Sequence, residues 1–480
     1  MSTSTVSPPA AKTTTHTPAT RSASGIGLAP RPPVSAITDP RETSEWSGVA
    51  LSAVGSALGG IAGGLLVIGI TLLFKGGMEL VASQSTWVII AAPLVGLALT
   101  VLVLEGIGRA EEPVPRRGWR SWITFHPSDV RADITGDVLH TAGDEEHFPW
   151  RLAPIRFVAA FATVGSGAAM GTEAPAVYFG EAAGAWVGDH GSRWHRLLRP
   201  AALGGGAAGV AALMGIPLVG AAYILELGLR HKAPLAVERI VAAVIGGIIG
   251  WGLDVIFNLR LIRLVVPSEP PDGAVHAVLT AVFVGVVAGA VTGLAGNTIH
   301  WGQKWRASPA IRLALGGMAA AAAALAVVFV ASPSAASGPG GGAILWAERD
   351  TALASTLLVV ALLRATMTTA TAAAGGCGGI FVPLLAIGDL SGRFVAPVLG
   401  IGHDLAGAAG AAAGIAGGYR LPYTAVAMVL GYGGPRLATL TCLGTVAMAF
   451  FAGEAVDTLL SKLKRARHRG APPAEPERAT

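Results

Sequence analysis

Residues 48–74 read GVALSAVGSALGGIAGGLLVIGITLLF, a stretch without a charged side chain. A helix needs roughly 20 apolar residues to cross a bilayer, and this stretch is longer than that. Residues 81–104 and 313–347 form two further charge-free apolar stretches of sufficient length. Together they predict an integral membrane protein with several spanning helices.

The composition of the whole chain supports this interpretation. Hydrophobic residues make up 52% of the 480 residues and charged residues only 13%, whereas soluble proteins carry about 25% charge. Glycine occurs 66 times, and small residues let helix backbones approach closely within lipid.

Cys377 and Cys442 lie in apolar stretches without metal-ligand spacing. We therefore expect no disulfide framework, metal, cofactor or nucleic-acid partner.

Polar segments divide the chain. Residues 1–46 are rich in Ser, Thr, Pro and Ala and are predicted to form a disordered tail. Residues 47–461 are expected to form one transmembrane domain, interrupted by a polar extramembrane loop at 109–150. Residues 462–480 form a basic C-terminal tail.

The basic residues of this tail predict its side of the membrane. They follow directly after the last apolar helix, and the positive-inside rule then places the C-terminus in the cytoplasm. We expect a multi-pass protein of the cell membrane. The residues of this cluster are Lys462, Lys464, Arg465, Arg467 and Arg469.

Residues 165–175 read GSGAAMGTEAP and precede an apolar helical pattern. Proline is preorganised for the first turn of a helix, so a helix is predicted to begin near Ala174. Its free N–H groups and positive dipole end would attract an anion. Glu173 lies there in an uncharged stretch, where a carboxylate is costly and indicates function. Two roles remain open: Glu173 caps the helix, or it competes with a permeating anion for the N–H donors until protonation releases it.

A second glycine-rich cluster lies in the other half of the chain. Residues 375–383 read GGCGGIFVP, and an apolar helix follows. Glycines again precede a proline, which predicts a second helix start of the same kind. Two such starts that converge would surround an anion with backbone donors, which bind it well enough to replace water and weakly enough to release it.

Four motifs resemble, in order, those of CLC chloride channels and proton-coupled chloride transporters. Residues 171–175, GTEAP, look like the family motif Gly-Lys/Arg-Glu-Gly-Pro, and residues 379–383, GIFVP, are similar to Gly-x-Phe-x-Pro. Residues 217–226, PLVGAAYILE, and 420–425, RLPYTA, resemble two other recurrent elements. The resemblance extends over residues 151–460.

This resemblance implies an all-α integral membrane fold, an antiparallel inverted repeat of tilted, partly broken transmembrane helices. It also implies a homodimer in which each subunit holds its own pore for chloride or a similar halide, with protons as a further candidate substrate. Glu173 would be the gate. The implied anion-binding groups are the backbone amides of Thr172, Glu173, Ala174, Ile380, Phe381 and Val382.

Three departures from the family pattern affect these expectations. Ile107 lies where a serine would contact the anion, and residues 446–457 contain no counterpart of the pore-lining tyrosine. The anion site is therefore expected to rest on backbone amides or water. Leu227 replaces an internal glutamate of proton-coupled members, which favours passive conduction. Glu226 is interpreted as a buried packing or hydrogen-bonding residue rather than a proton relay.

Other functions compete with halide transport. One is a fluoride-selective exchanger of the same superfamily, and another is a scaffold that has lost transport. A membrane-embedded enzyme would need a nucleophile with a base, paired carboxylates or metal ligands at bilayer depth. The apolar stretches offer only isolated acids, so we do not expect an enzyme.

Overall fold

The computed structural model describes residues 45–107, 132–189, 195–258, 266–267, 273–349, 352–433 and 436–470. The predicted N-terminal tail lies outside the described residues up to residue 44. Over the described ranges the chain forms helices and no strand. The α-helices are α1 (Glu45–Ala82), α2 (Thr86–Val101), α3 (Ile134–Thr141), α4 (Ala153–Ala160), α5 (Glu173–Gly188), α6 (Leu198–Met214), α7 (Pro217–Arg230), α8 (Val237–Phe257), α9 (Ala274–Gln303), α10 (Pro309–Val330), α11 (Pro333–Ala336), α12 (Gly341–Arg349), α13 (Ala354–Ala374), α14 (Phe381–Leu399), α15 (His403–Ala413), α16 (Pro422–Gly433) and α17 (Leu437–Gly470).

Eight helices of the described chain are long and apolar enough to cross a membrane. They include α1, α9 and α17, and large apolar side chains project from many of them. Trp87, Phe329 and Phe451 are each more than 60% exposed, which suits contact with lipid rather than with water. The prediction of a multi-pass membrane protein is confirmed.

Glycines bring helix backbones into contact in both halves of the chain. A Cβ on Gly180 of α5 would clash with the backbone of Gly205 of α6, and the reverse also holds. The same relation joins Gly388 of α14 and Gly410 of α15. Close backbone approach of this kind is how membrane helices pack without a hydrophobic drive. In each half of the chain, therefore, the helix that begins inside the protein, α5 or α14, packs closely on the helix that follows it, α6 or α15.

Helices α5 and α14 begin inside the protein. Their first residues, Glu173 and Phe381, are 1% and 0% exposed. The chain enters α14 through Gly375, which ends α13 in the left-handed region with φ +97°, a conformation that glycine adopts without strain. Glycine-rich turns therefore place two helix N-termini within the protein core.

The polar segment predicted as an extramembrane loop at 109–150 is described from residue 132 onward. The described part contains α3, which packs on α5. Glu145, which follows α3 in the chain, is buried and paired with Arg199 and Arg239. Both arginines lie far along the chain, so the sequence alone did not indicate the pairing.

At the C-terminal end of the described chain, α17 continues past the domain boundary predicted at residue 461 as far as Gly470.

Candidate functional site

The two glycine-rich clusters meet in space. The amide of Gly171 donates to the carbonyl of Gly379 at 2.8 Å, and the amide of Gly379 donates back to Gly171 at 2.8 Å. This reciprocal pair joins the turn before α5 to the turn before α14. The two interior helix N-termini are therefore fixed side by side.

Neither glycine of this pair has room for a side chain. A Cβ on Gly171 would clash with the Glu173 carboxylate. A Cβ on Gly379 would lie 2.7 Å from Glu173 Oε2 and 2.9 Å from the amide nitrogen of Ala174. Glycine is required here because the carboxylate and the helix start occupy the space that a methyl would need.

The Glu173 carboxylate lies against backbone amides of both helix starts. Its neighbours include the amides of Val382 and Thr172 as well as its own. Neither carboxylate oxygen, however, makes a well-formed hydrogen bond to any described group. A buried charge without strong partners is costly, whereas helix N-termini favour an anion. The carboxylate thus occupies an anion-attracting position without being firmly bound there.

The structure brings together all six backbone positions that the resemblance implied. Three of them start α5 and three start α14, across the Gly171–Gly379 bridge. Whether their amides bind an anion stays a prediction. These residues are Thr172, Glu173, Ala174, Ile380, Phe381 and Val382.

A buried arginine supports the turn that leads to Glu173. Arg364 of α13 is 1% exposed and donates to the carbonyl of Gly338 at 2.6 Å. The amide of Gly338 in turn donates to the carbonyl of Gly167 at 2.8 Å. Arg364 therefore helps to position the glycine-rich turn through Gly338. The sequence did not indicate this role.

Three aromatic rings form a cluster at the start of α14. The ring centroid of Phe381 lies 6.1 Å from that of Tyr223 and 6.1 Å from that of Tyr419. The two tyrosine hydroxyls are 2.9 Å apart and share a hydrogen bond. The Glu173 carboxylate is also near enough to Tyr223 to interact with it electrostatically. Two side-chain hydroxyls therefore lie beside the predicted anion path.

These tyrosines were missed in the sequence because they do not occur where a family motif places one. Tyr223 belongs to α7, and Tyr419 ends a π-helical segment after α15. Their residue numbers differ by 196, so no local pattern links them. Ile107 ends another π-helical segment, and the chain that follows it lies outside the described residues up to 131.

Glu226 has a different environment from that of Glu173. Its carboxylate accepts hydrogen bonds from the amide of Tyr423 at 3.1 Å and from the amide and hydroxyl of Thr424 at 2.9 and 2.7 Å. These donors belong to the first turn of α16. The interpretation of Glu226 as a buried hydrogen-bonding residue is confirmed, since it caps this helix from α7.

Comparison with known families accounts for this arrangement of interrupted helices. A family model described as voltage gated chloride channel matches residues 124–454. The chain belongs to the CLC family. The family assignment and the helical fold class expected from the motifs are thereby confirmed.

Curated relatives of this CLC chain include two named H(+)/Cl(-) exchange transporter ClcA. The protein of Yersinia pestis bv. Antiqua (strain Angola) is 25% identical over 330 residues, and that of Yersinia pseudotuberculosis serotype IB (strain PB1/+) is 28% identical. Each match covers 63% of this chain and 66% of the relative. The chain thus spans about two thirds of the length of these relatives.

Solved structures share the fold of this CLC chain. A slow cyanobacterial Cl−/H+ antiporter aligns with a TM-score of 0.65 at 20% identity, over 87% of this chain and 99% of that one. A CLC-type fluoride/proton antiporter aligns with a TM-score of 0.67 at 20% identity, over 86% and 98% of the two chains. At such identities the likeness concerns the fold alone.

Proposed function

We propose that this protein carries chloride or a similar halide across the membrane, through a pore within each subunit that Glu173 gates. One observation carries the proposal: a buried carboxylate lies between two converging helix N-termini, against their backbone amides, and neither of its oxygens makes a well-formed hydrogen bond to them. A group held in this way is easily displaced. Family membership and the exchangers among the relatives support transport as the activity.

The gating step follows from charge competition. A deprotonated Glu173 is itself an anion and lies against the backbone amides of the two helix starts. A halide that arrives at the same donors must displace it. Protonation removes the negative charge, so the attraction to the helix N-termini is lost and the donors become free for the halide. Flux should therefore increase on acidification.

The backbone donors suit a halide better than a full positive charge would. Amides at a helix N-terminus carry a partial charge, which compensates for lost hydration without binding the ion too tightly to leave. Tyr223 and Tyr419 add hydroxyls beside this position. These hydroxyls are side-chain groups near the site, where the sequence lacks the serine and the pore-lining tyrosine of the family pattern.

Basic residues support an orientation with the C-terminus in the cytoplasm. We define the basic face as Arg230, Arg420 and the C-terminal part of α17. Arg420 pairs with Glu454 and Asp457 of α17 and interacts with Arg230, so these groups share one side of the protein. The positive-inside rule assigns that side to the cytoplasm. Homodimer formation also remains part of the proposal, as the resemblance implies it.

The direct test is halide efflux from vesicles. The purified full chain would be reconstituted into liposomes loaded with chloride or with fluoride, and efflux would be followed with an ion-selective electrode against protein-free vesicles. Protein-dependent chloride efflux is expected. Efflux of fluoride alone would reassign the substrate to the fluoride exchanger. Absence of efflux for both ions, from protein that remains monodisperse, would contradict transport and favour a scaffold.

A further inference from the structure

A cavity lies where two membrane-spanning helices are joined. Residues 304–308 connect α9 to α10, and both helices are long and apolar enough to cross a membrane, so this short connection lies at the membrane surface. Beside it is an open cavity of about 980 Å³. Organic ligands bind in pockets of roughly 300–1,000 Å³. We call this space the connection cavity, and the lining residues that matter here are Glu105, Lys304, Trp305, Arg306 and Arg312.

The connection cavity lies on the side of the basic face. A Cβ on Gly285 of α9 would lie 2.6 Å from the Cβ of Met448, and a Cβ on Gly293 would lie 3.0 Å from the Cα of Gly453. Residue numbers increase in the same direction along both helices, so α9 and α17 run parallel. The end of α9 is therefore on the same side as the C-terminal part of α17. The proposed orientation turns this side to the cytoplasm, where the adjacent leaflet carries anionic lipids.

Positive charge predominates in the connection cavity. Glu105 is its one acidic lining residue among the described residues, and it pairs with Arg312 at 3.3 Å. Arg312 also donates to the carbonyl of Ala373 at 3.3 Å, which fixes the guanidinium in the wall. Lys304 and Arg306 are exposed, and over the described ranges neither pairs with a carboxylate. Three basic side chains against one carboxylate leave an excess of two positive charges.

Apolar side chains beside the connection cavity favour a lipid as the ligand. Ile311 and Leu315 come before and after Arg312 on α10 and are 50% and 52% exposed. They belong to a spanning helix, so they suit contact with acyl chains. Trp305 is half-buried in the wall, and tryptophan is enriched where hydrocarbon meets water. A soluble phosphate would use only the charges, whereas a phospholipid would use the charges and the apolar surface together.

We propose that the connection cavity binds the phosphate headgroup of an anionic phospholipid. Lys304 and Arg306 contact the phosphate, while the acyl chains lie along α10 beside Ile311 and Leu315. Basic pockets between membrane helices on the cytoplasmic side are suited to such headgroups. This binding does not depend on halide passage, so it holds whether or not the protein transports an ion.

The test measures lipid binding to the purified full chain in a nonionic detergent. Dioctanoyl phosphatidylglycerol is the anionic probe, and dioctanoyl phosphatidylcholine is the comparison without net charge. Glycerol phosphate supplies a phosphate ester without acyl chains. Native mass spectrometry would count the bound molecules over a range of concentrations for each probe.

Two double variants separate the connection cavity from the general charge of the basic face. Lys304→Gln with Arg306→Gln removes the two exposed basic side chains of the cavity, and neither is held by a carboxylate of the described chain. Lys462→Gln with Lys464→Gln is the matched control. It also removes two exposed positive charges, from the C-terminal part of α17 and away from the cavity lining.

The expected result is specific to the anionic lipid and to the cavity variant. Phosphatidylglycerol should bind the wild type and the α17 variant with similar affinity. Its affinity for the cavity variant should be about tenfold lower or less, because two charges that contact the phosphate are lost. Phosphatidylcholine and glycerol phosphate should bind the wild type more weakly than phosphatidylglycerol does.

Four results would overturn the lipid site. Wild-type affinity in the cavity variant would show that the phosphate does not bind there, and an equal loss in the α17 variant would assign binding to general charge. Glycerol phosphate that displaces phosphatidylglycerol at equal concentration would identify a soluble phosphate ester as the ligand. Chloride that displaces the lipid at constant ionic strength would identify the connection cavity as an entrance for halide instead.

Discussion

Glu173 and Glu226 are both buried glutamates next to the N-terminus of a helix, yet their environments differ. Glu226 is 5% exposed and accepts three hydrogen bonds from the first turn of α16. Glu173 is 1% exposed and lies against the amides of two helix starts, but neither of its oxygens makes a well-formed hydrogen bond to them. A fully bonded carboxylate fixes structure, whereas a loosely held one is free to move. Hydrogen bonding rather than burial therefore distinguishes the cap from the candidate gate.

The largest effect that we expect from this difference is on stability. Glu226→Ala leaves two amides and a hydroxyl of α16 without their acceptor, which should lower the free energy of unfolding by about 3 kcal/mol. Glu173→Ala removes only loose contacts with backbone amides and should cost less. Thermal unfolding midpoints of the two variants in the same detergent would check this order. Equal losses would contradict the contrast between the two carboxylates.

A methyl group at the bridge between the helix starts should reduce transport. In Gly379→Ala the added Cβ would meet both Glu173 Oε2 and the amide of Ala174. Chloride efflux should fall about tenfold, equivalent to about 1.4 kcal/mol, because the methyl covers the donors. Gly69→Ala is the control, since a Cβ on Gly69 of α1 meets nothing within 4 Å. Efflux from Gly379→Ala at the wild-type rate would argue that halides do not pass these donors.

The smallest effect is expected at the residue before the gate. Thr172 is the N-cap of α5, but its side chain makes no capping hydrogen bond. Thr172→Val keeps the backbone amide, so stability should change by only about 1 kcal/mol and the pH response of efflux should persist. Stability and efflux measured side by side would check both points. A pH response lost in this variant would assign gating to the hydroxyl of Thr172 instead.

Much of the fold could be predicted from local sequence. Charge-free runs such as residues 48–74 indicate membrane helices by length alone, and the glycine-proline clusters mark where helices begin inside the protein. The position of Glu173 at such a start follows from Pro175, because proline favours the first helical turn. These features depend on neighbours in the chain, which the sequence shows directly.

The rest of the candidate site depends on distant contacts. The hydrogen bond between Tyr223 and Tyr419, the bridge between Gly171 and Gly379, and the support from Arg364 each join separate parts of the chain. Helix packing decides which of these residues meet. The sequence contains other glycines and tyrosines, and it does not show which of them come into contact. The motif pattern shows that residues 446–457 lack the expected tyrosine. It could not show that two others lie beside Phe381.

The central claim is that the charge of Glu173 gates halide flux, and the pH dependence of efflux tests it most directly. Chloride efflux from reconstituted vesicles would be measured at neutral and acidic pH for the wild type, Glu173→Gln and Glu226→Gln. We predict that wild-type efflux rises on acidification, that Glu173→Gln is as fast at neutral pH as the acidified wild type, and that Glu226→Gln retains the pH response. A Glu173→Gln protein that still responds to pH like the wild type would contradict the account.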